Sequence, residues 1–183
     1  MNTNILIAGF GGQGILFAGK ILVYAGLMAG KEVSWLPSYG PEMRGGTCNC
    51  SVVISDDPIG SPLVTNPDVL MALNTPSLEK FIETVVENGI VIVDSTMIEQ
   101  SAIDAAAASR PDVKISSLPA TELADNNDLQ GGANIILLGK LINQTGLISD
   151  EHFKAAVDKV VPPTKQKLRE NDMKAMKMGA EYA

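Results

Sequence analysis

The sequence predicts a three-layer α/β/α protein with a mostly parallel, mixed central sheet. Short apolar runs alternate with helix-periodic segments along most of its 183 residues, the order of strands and covering helices in α/β folds. Runs such as Ile5 to Ala8 and Ile90 to Val93 are apolar throughout, as strands buried on both faces must be. One further strand, Thr47 to Ser55, follows its predecessor with no helix between them, so the sheet cannot be wholly parallel.

The first strand empties into Gly9-Phe10-Gly11-Gly12-Gln13-Gly14, and Ile15 through Ala29 then reads as a helix. Ile15, Ala18, Ile21, Leu22, Ala25 and Met28 or Ala29 supply its buried face, and Gly30 is placed to end it. Lys31 to Leu36 is a second short strand, completing a β-turn-α-β unit. Pro37 to Gly46 carries two prolines and three glycines, so a loop of specified shape is expected there. Thr47 to Ser55 recovers strand alternation, and Asp56-Asp57-Pro58 closes it.

After a proline-rich connection, Asp68 to Leu73 is a buried-strand candidate ending at Asn74. Thr75 or Ser77 can cap a helix running to about Glu87, with Pro76 in its first turn and Asn88-Gly89 as the following turn. Ile90 to Val93, Glu99 to Ser109 and Val113 to Ser116 continue as strand, helix and strand. A short turn at Ala120 to Ala124 follows, then helices at Ala133 to Asn143 and, capped by Ser149, at Asp150 to Val160. Pro162-Pro163 interrupts, and a charged helical tail is expected over about 164–183. The whole chain, 1–183, reads as a single domain.

Composition limits the partners. A net charge of −7 opposes a nucleic-acid footprint or an anionic membrane surface, both of which need clustered Lys and Arg. No apolar run has the length of a membrane-spanning helix, and the N-terminus has no basic residues ahead of its apolar stretch, so a cytoplasmic protein is expected. Cys48 and Cys50, the only two cysteines, are too few for a disulfide framework or a cluster of four thiolates and read as buried side chains.

The glycine turn is the first site candidate. A helix N-terminus leaves N–H groups unpaired at the positive end of its dipole, which attracts anions. Gly9, Gly11 and Gly14 fit the dinucleotide spacing, yet Glu32 begins the second strand instead of ending it, so no acid stands ready for a ribose. No Lys-Ser or Lys-Thr follows to make a P-loop. A phosphate-sized cradle remains, formed by Gly9, Gly11, Gly12, Gln13 and Gly14 with Gln13 at its mouth; the alternative is that the glycines serve helix-on-strand packing.

The second candidate is Ser38, Tyr39, Gly40, Pro41, Glu42, Met43, Arg44, Gly45 and Gly46, which should leave the sheet beside the glycine turn. Arg44 can clamp a phosphate or carboxylate through paired hydrogen bonds, or pair with Glu42 to hold the loop. Asn74 and Asp94 stand at strand ends, where they can face a ligand or cap a helix. No serine–histidine–acid set, paired catalytic carboxylates or metal-ligand cluster is present in the sequence pattern, so no catalytic or metal residue is assigned. Any hard chemistry then belongs to a cofactor held elsewhere.

Gly9-Phe10-Gly11-Gly12-Gln13-Gly14, Ser38 to Gly46 and Asn134 to Gly139, in this order and over nearly the whole chain, resemble the gamma subunit of the 2-oxoacid:ferredoxin oxidoreductases. The resemblance implies a complex that oxidatively decarboxylates a 2-oxoacid with coenzyme A, giving an acyl-CoA, carbon dioxide and reduced ferredoxin. It implies that coenzyme A is bound partly here, near Gly11 to Gly14 and Arg44, while thiamine diphosphate, magnesium and iron–sulfur clusters sit in alpha, beta and, in some complexes, delta partner subunits. The loop around Arg44 looks closest to the 2-oxoglutarate and branched-chain members and less like the pyruvate and indolepyruvate ones. Lys140 departs from the small residue the family pattern suggests. A free-standing nucleotide-binding or regulatory protein is the other class, and the isolated chain is expected to self-associate as a homo-oligomer.

Overall fold

The structure, a computed structural model, describes residues 2–39 and 47–182. Its six strands are β1 (Asn2–Phe10), β2 (Glu32–Tyr39), β3 (Thr47–Ser55), β4 (Val69–Ala72), β5 (Ile90–Asp94) and β6 (Lys114–Leu118). They form one sheet in the order β2-β3-β1-β4-β5-β6. β1, β4, β5 and β6 pair parallel, while β3 runs antiparallel to both β1 and β2. The expected α/β/α sandwich with a mixed sheet is the fold observed.

Among the described residues seven helices cover the sheet: α1 (Ile15–Met28), α2 (Thr75–Phe81), α3 (Gln100–Ser109), α4 (Ala120–Asn126), α5 (Ala133–Thr145), α6 (Asp150–Val160) and α7 (Gln166–Glu181). Alternation along β1 divides the core. Ile5 and Ile7 face α1 and α4 to α7 in the larger cluster, whereas Leu6 faces α2 and α3 in the smaller one. Both faces of β1 are therefore buried, which is why its sequence shows no polar alternation.

Two glycines seat α1 on the β2–β3 hairpin. A Cβ at Gly19 would lie 2.6 Å from Cys50 Sγ, and one at Gly26 would lie 2.9 Å from Val33 Cγ1. The helix then ends at Gly30, whose φ of 72° no β-carbon-bearing residue adopts cheaply. Gly30 N–H bonds the Leu27 carbonyl and Lys31 N–H bonds that of Gly26, both at 3.0 Å, closing the last turn.

Several expected boundaries move, each for a local reason. β2 continues through Pro37, Ser38 and Tyr39 because β3 supplies partners at Cys50, Asn49 and Cys48, and an edge strand tolerates a proline. Met28 is 39% exposed and so drops out of the buried face of α1. α2 stops at Phe81 and a 3₁₀ turn over Ile82–Thr84 follows, because Val86 N–H leaves the helix to bond the Pro67 carbonyl at 3.0 Å. Asn74, not Thr75 or Ser77, caps α2, accepting from the Ser77 N–H at 2.9 Å.

α5 and α7 cross more closely than any side chain would permit. A Cβ on Gly139 would fall 2.0 Å from the Met176 carbonyl oxygen, and one on Gly179 would fall 1.7 Å from that of Ile136. The Lys140 ammonium leaves this crossing and donates to the Tyr182 carbonyl at 2.5 Å, so a lysine fits beside Gly139 by reaching past α7 to its end.

Candidate functional site

The parallel sheet directs its carboxyl ends to one side, and there β1 ends at Phe10. Gly11 to Gly14 turn the chain into α1, with Gly12 at φ 104° and Gly14 at φ 75°, both in the left-handed region. The Gln13 N–H bonds the Phe10 carbonyl at 3.1 Å. Among the described residues, Gly11, Gly12 and Gly14 give their N–H groups to no backbone acceptor. With the first turn of α1 they form a set of outward donors at a helix dipole's positive end.

The glycines of the turn have separate causes. Gly9 makes room: a Cβ there would lie 2.7 Å from both Gln13 Oε1 and Ile15 Cδ1. Gly14 carries the tight contact to α5, because its Cβ would meet Asn134 Nδ2 at 2.3 Å. Asn134 in turn donates to the Gly14 carbonyl at 3.0 Å, across 120 residues of sequence. Among the described residues no atom lies within 4 Å of a Cβ on Gly12.

Gln13 does not stand at the mouth of the cradle. Its Oε1 accepts from the Phe10 N–H at 2.6 Å and from Asn74 Nδ2 at 3.0 Å, and its Nε2 donates to the Leu73 carbonyl at 3.0 Å. With that amide spent on the ends of β1 and β4, what is left to face an anion is backbone. Asn74, 2% exposed, is likewise committed to Gln13 and to the cap of α2. Asp94 is 1% exposed and accepts from Thr96 N–H and from Thr121 N–H and Oγ1, the last at 2.6 Å.

Register joins the two sequence motifs. Gly9 pairs with Cys48, which pairs with Tyr39, and Phe10 pairs with Thr47. The chain therefore leaves β2 and re-enters β3 at the edge where the glycine turn sits. Ser38 and Tyr39 are exposed there. Gly40, Pro41, Glu42, Met43, Arg44, Gly45 and Gly46 lie outside the described residues. A cavity of about 390 Å³ opens between the two sides, lined by Phe10, Gly11, Gly12, Gly14 and Phe17 together with Tyr39, Thr47 and Cys48. Its volume falls within the roughly 300–1,000 Å³ of small-molecule sites.

Phe17, Thr47 and Cys48 were not legible as lining residues. Cys48 shows only as an inward position on a strand, and Phe17 as one apolar residue of α1. Burial raises the Cys48 thiol above its ordinary value and pushes that of Cys50 up to about 12, so both remain neutral thiols. Among the described residues no three His, Cys, Asp or Glu side chains gather as metal ligands. His152 belongs to the first turn of α6, its Nδ1 2.9 Å from Ser149 Oγ. No helix among the described residues is long and apolar enough to cross a membrane.

Fold and site together define an α/β protein that offers backbone donors and a cavity where β1 ends beside the β2–β3 hairpin. Residues 4–182 match the pyruvate ferredoxin/flavodoxin oxidoreductase family model. The chain is 41% identical over 183 residues to ketoisovalerate oxidoreductase subunit VorA of Methanothermobacter thermautotrophicus, covering 99% of this chain and 36% of that protein. It is 38% identical over 170 residues to 2-oxoglutarate synthase subunit KorC of Methanocaldococcus jannaschii, covering 91% and 88%. The chain thus spans about a third of the VorA protein and most of KorC.

Solved structures agree. The gamma subunit of a keto/oxoacid ferredoxin oxidoreductase from Geobacter sulfurreducens superposes with a TM-score of 0.77 at 31% identity, over 98% of this chain and 96% of that one. A 2-oxoglutarate:ferredoxin oxidoreductase from Magnetococcus marinus, solved with 2-oxoglutarate, coenzyme A and succinyl-CoA bound, shares the fold with a TM-score of 0.83 at 20% identity, over 97% and 30%. The chain belongs to the pyruvate ferredoxin/flavodoxin oxidoreductase family.

Proposed function

We propose that the chain is the gamma subunit of a thiamine-dependent 2-oxoacid:ferredoxin oxidoreductase and that its glycine turn holds phosphate groups of coenzyme A. The observation that carries this is that Gly11, Gly12 and Gly14, whose N–H groups have no backbone acceptor among the described residues, line a cavity of about 390 Å³ at the start of α1. A pyrophosphate is bound well by such donors, and the apolar Phe10, Ile15, Leu16 and Phe17 suit the less polar remainder of the cofactor. Arg44 supplies a bidentate cation to the same anion, with Ser38, Tyr39, Gly40, Glu42, Met43, Gly45 and Gly46 shaping its approach. Gly9, Gln13 and Asn74 act by holding the turn in place.

This chain's own residues do not suit an iron–sulfur cluster, since its two thiols are buried and neutral. The reading therefore gives thiamine diphosphate, magnesium and the clusters to alpha, beta or delta partners, and reduces ferredoxin through the complex in the cytoplasm. The gamma chain's part is binding and orientation: it keeps the coenzyme's charged end fixed while the thiol end reaches the acyl group formed in a partner subunit.

The substrate in this reading is 2-oxoglutarate, as the name of KorC suggests. The 41% identity to VorA favours a branched-chain 2-oxoacid as the second reading. Assaying the assembled complex with 2-oxoglutarate and with 2-oxoisovalerate decides between them. Arg44→Ala should raise the KM for coenzyme A in that complex about tenfold or more and leave 2-oxoacid decarboxylation unchanged. An unchanged coenzyme A dependence would return Arg44 to shaping the loop. Absence of a thiamine-binding partner from the native complex would favour a free-standing nucleotide-binding protein.

A further inference from the structure

A second pocket, of about 210 Å³, adjoins the glycine turn's main cavity and shares Gly14 and Phe17 with it. Phe17 of α1, Leu129 and Leu168 of α7 give it apolar walls, Gln130, Asn134 and Asn171 add amides, and Asp172 of α7 adds a carboxyl. Asp172 is 4% exposed, and among the described residues its Oδ2 has no hydrogen-bond partner. No lining residue is a cation. The basic side chains nearest along α7 are engaged elsewhere: Arg169 with the Val161 and Asp158 carbonyls, Lys174 with the Asn127 carbonyl.

We propose that this pocket receives a basic side chain, lysine or arginine, from a partner subunit, with Asp172 as its counter-charge. A carboxyl buried beside an open pocket without a partner is costly, and a cation arriving there would gain a charge-assisted bond in a desolvated place. Apolar side chains beside a single acid and neutral amides suit an aliphatic stem with a charged, hydrogen-bonding end. The volume is below that of ordinary small-molecule sites and fits one side chain. Leu168 lines the same pocket and is 38% exposed, so the way in is open from the surface.

The occupant comes from a polypeptide in this assignment because relatives are named as subunits, and VorA extends well beyond the matched third. The inference rests on the proposed role as a subunit. Burial pushes the Asp172 carboxyl up to about 7, which gives the pairing a direct readout.

The test has two arms on the full chain. First, the Asp172 carboxyl is titrated by carbon-detected NMR with and without N-butylguanidinium chloride, using N-butylurea as the uncharged isostere. The guanidinium probe is expected to lower the Asp172 midpoint by about one pH unit at saturation, and Asp172→Asn should weaken its binding at least tenfold. An equal effect from the urea, or full binding to Asp172→Asn, overturns the proposal.

Second, wild-type and Asp172→Asn chains, with circular dichroism confirming that both are folded, are reconstituted with the co-purifying subunits. The variant should assemble at least tenfold more weakly. Assembly at wild-type affinity overturns the partner assignment, including the case where the guanidinium probe still binds and the occupant is a free cation. Failure of the wild-type chain to co-purify with any subunit instead refutes the proposed function, so the two failures are distinct.

Discussion

Gly12 and Gly14 share one turn and a positive φ, yet their surroundings separate what an alanine would do at each. At Gly14 the added methyl meets Asn134 Nδ2 at 2.3 Å and breaks the tie between α1 and α5, so Gly14→Ala should cost about 2 kcal/mol or more in urea unfolding. Gly12→Ala meets no atom within 4 Å and carries backbone strain alone, about 1 kcal/mol. Its larger effect should be on coenzyme A affinity, measured by calorimetry. Asp172 sets a pH dependence of the opposite sign to the usual carboxylate. Its folded form keeps the proton up to about pH 7, while the unfolded chain releases it near the ordinary 3.8. The folded state therefore binds more protons between these values, and this contribution is full below pH 3.8 and lost as pH rises through 7. Across that window stability should fall by on the order of 2 to 4 kcal/mol. Asp172→Asn should remove the slope. The carboxylates of Asp56, held down to about 2 by Lys31, of Asp112 beside Arg110 and of Asp158 beside Lys154 work the other way, and their contribution is lost only in acid.

The crossing of α5 and α7 shows what a sequence hides at the level of elements. Gly139 and Gly179 lie inside helical patterns, where each costs helix propensity, and only the partner backbone explains them. Gly139→Ala or Gly179→Ala would place a methyl within 2.0 Å of a carbonyl oxygen, and the helices must part. Each should lose about 3 kcal/mol, read as a lower urea midpoint at unchanged slope, because backbone cannot step aside as a side chain does. Elements whose signals are local were legible: Gly30 ending α1, Ser149 capping α6, and the apolar run of β5 between turn residues. Where a distant partner decides, sequence failed. β3 pairing carries β2 through Pro37, and the Pro67 carbonyl draws Val86 out of α2. The candidate site divides similarly. Its glycines were visible as a turn, but the amide of Gln13 turns inward to Leu73, a bond across 60 residues. Asp172 reads in sequence as one more charge of the helical tail, since its burial depends on a loop forty residues upstream.

Assembly is the scale at which the exposed apolar side chains acquire a meaning. Of the eight large ones among the described residues, five, Leu27, Met28, Trp35, Leu36 and Tyr39, fall at the end of α1 or on β2. β2 is also a sheet edge, with one row of backbone groups lacking a neighbouring strand. Natural edges are commonly protected by charge or proline, and here Pro37 interrupts the ladder while Glu32 stands at its far end. The protection is therefore partial, and Trp35, Leu36 and Tyr39 remain accessible to another apolar surface. A subunit separated from its partners should bury that surface against copies of itself. Light scattering on the purified chain should accordingly report species larger than a monomer, with the average mass rising with concentration. Leu36→Lys adds a charge at an exposed edge position, where folding loses little, and should shift the distribution toward monomer. Reconstitution with the co-purifying subunits should abolish self-association if they cover the same edge. A strictly monomeric wild-type chain would show that β2 is already adequately guarded, and the partner surface would then have to be sought around Leu168 and Asp172.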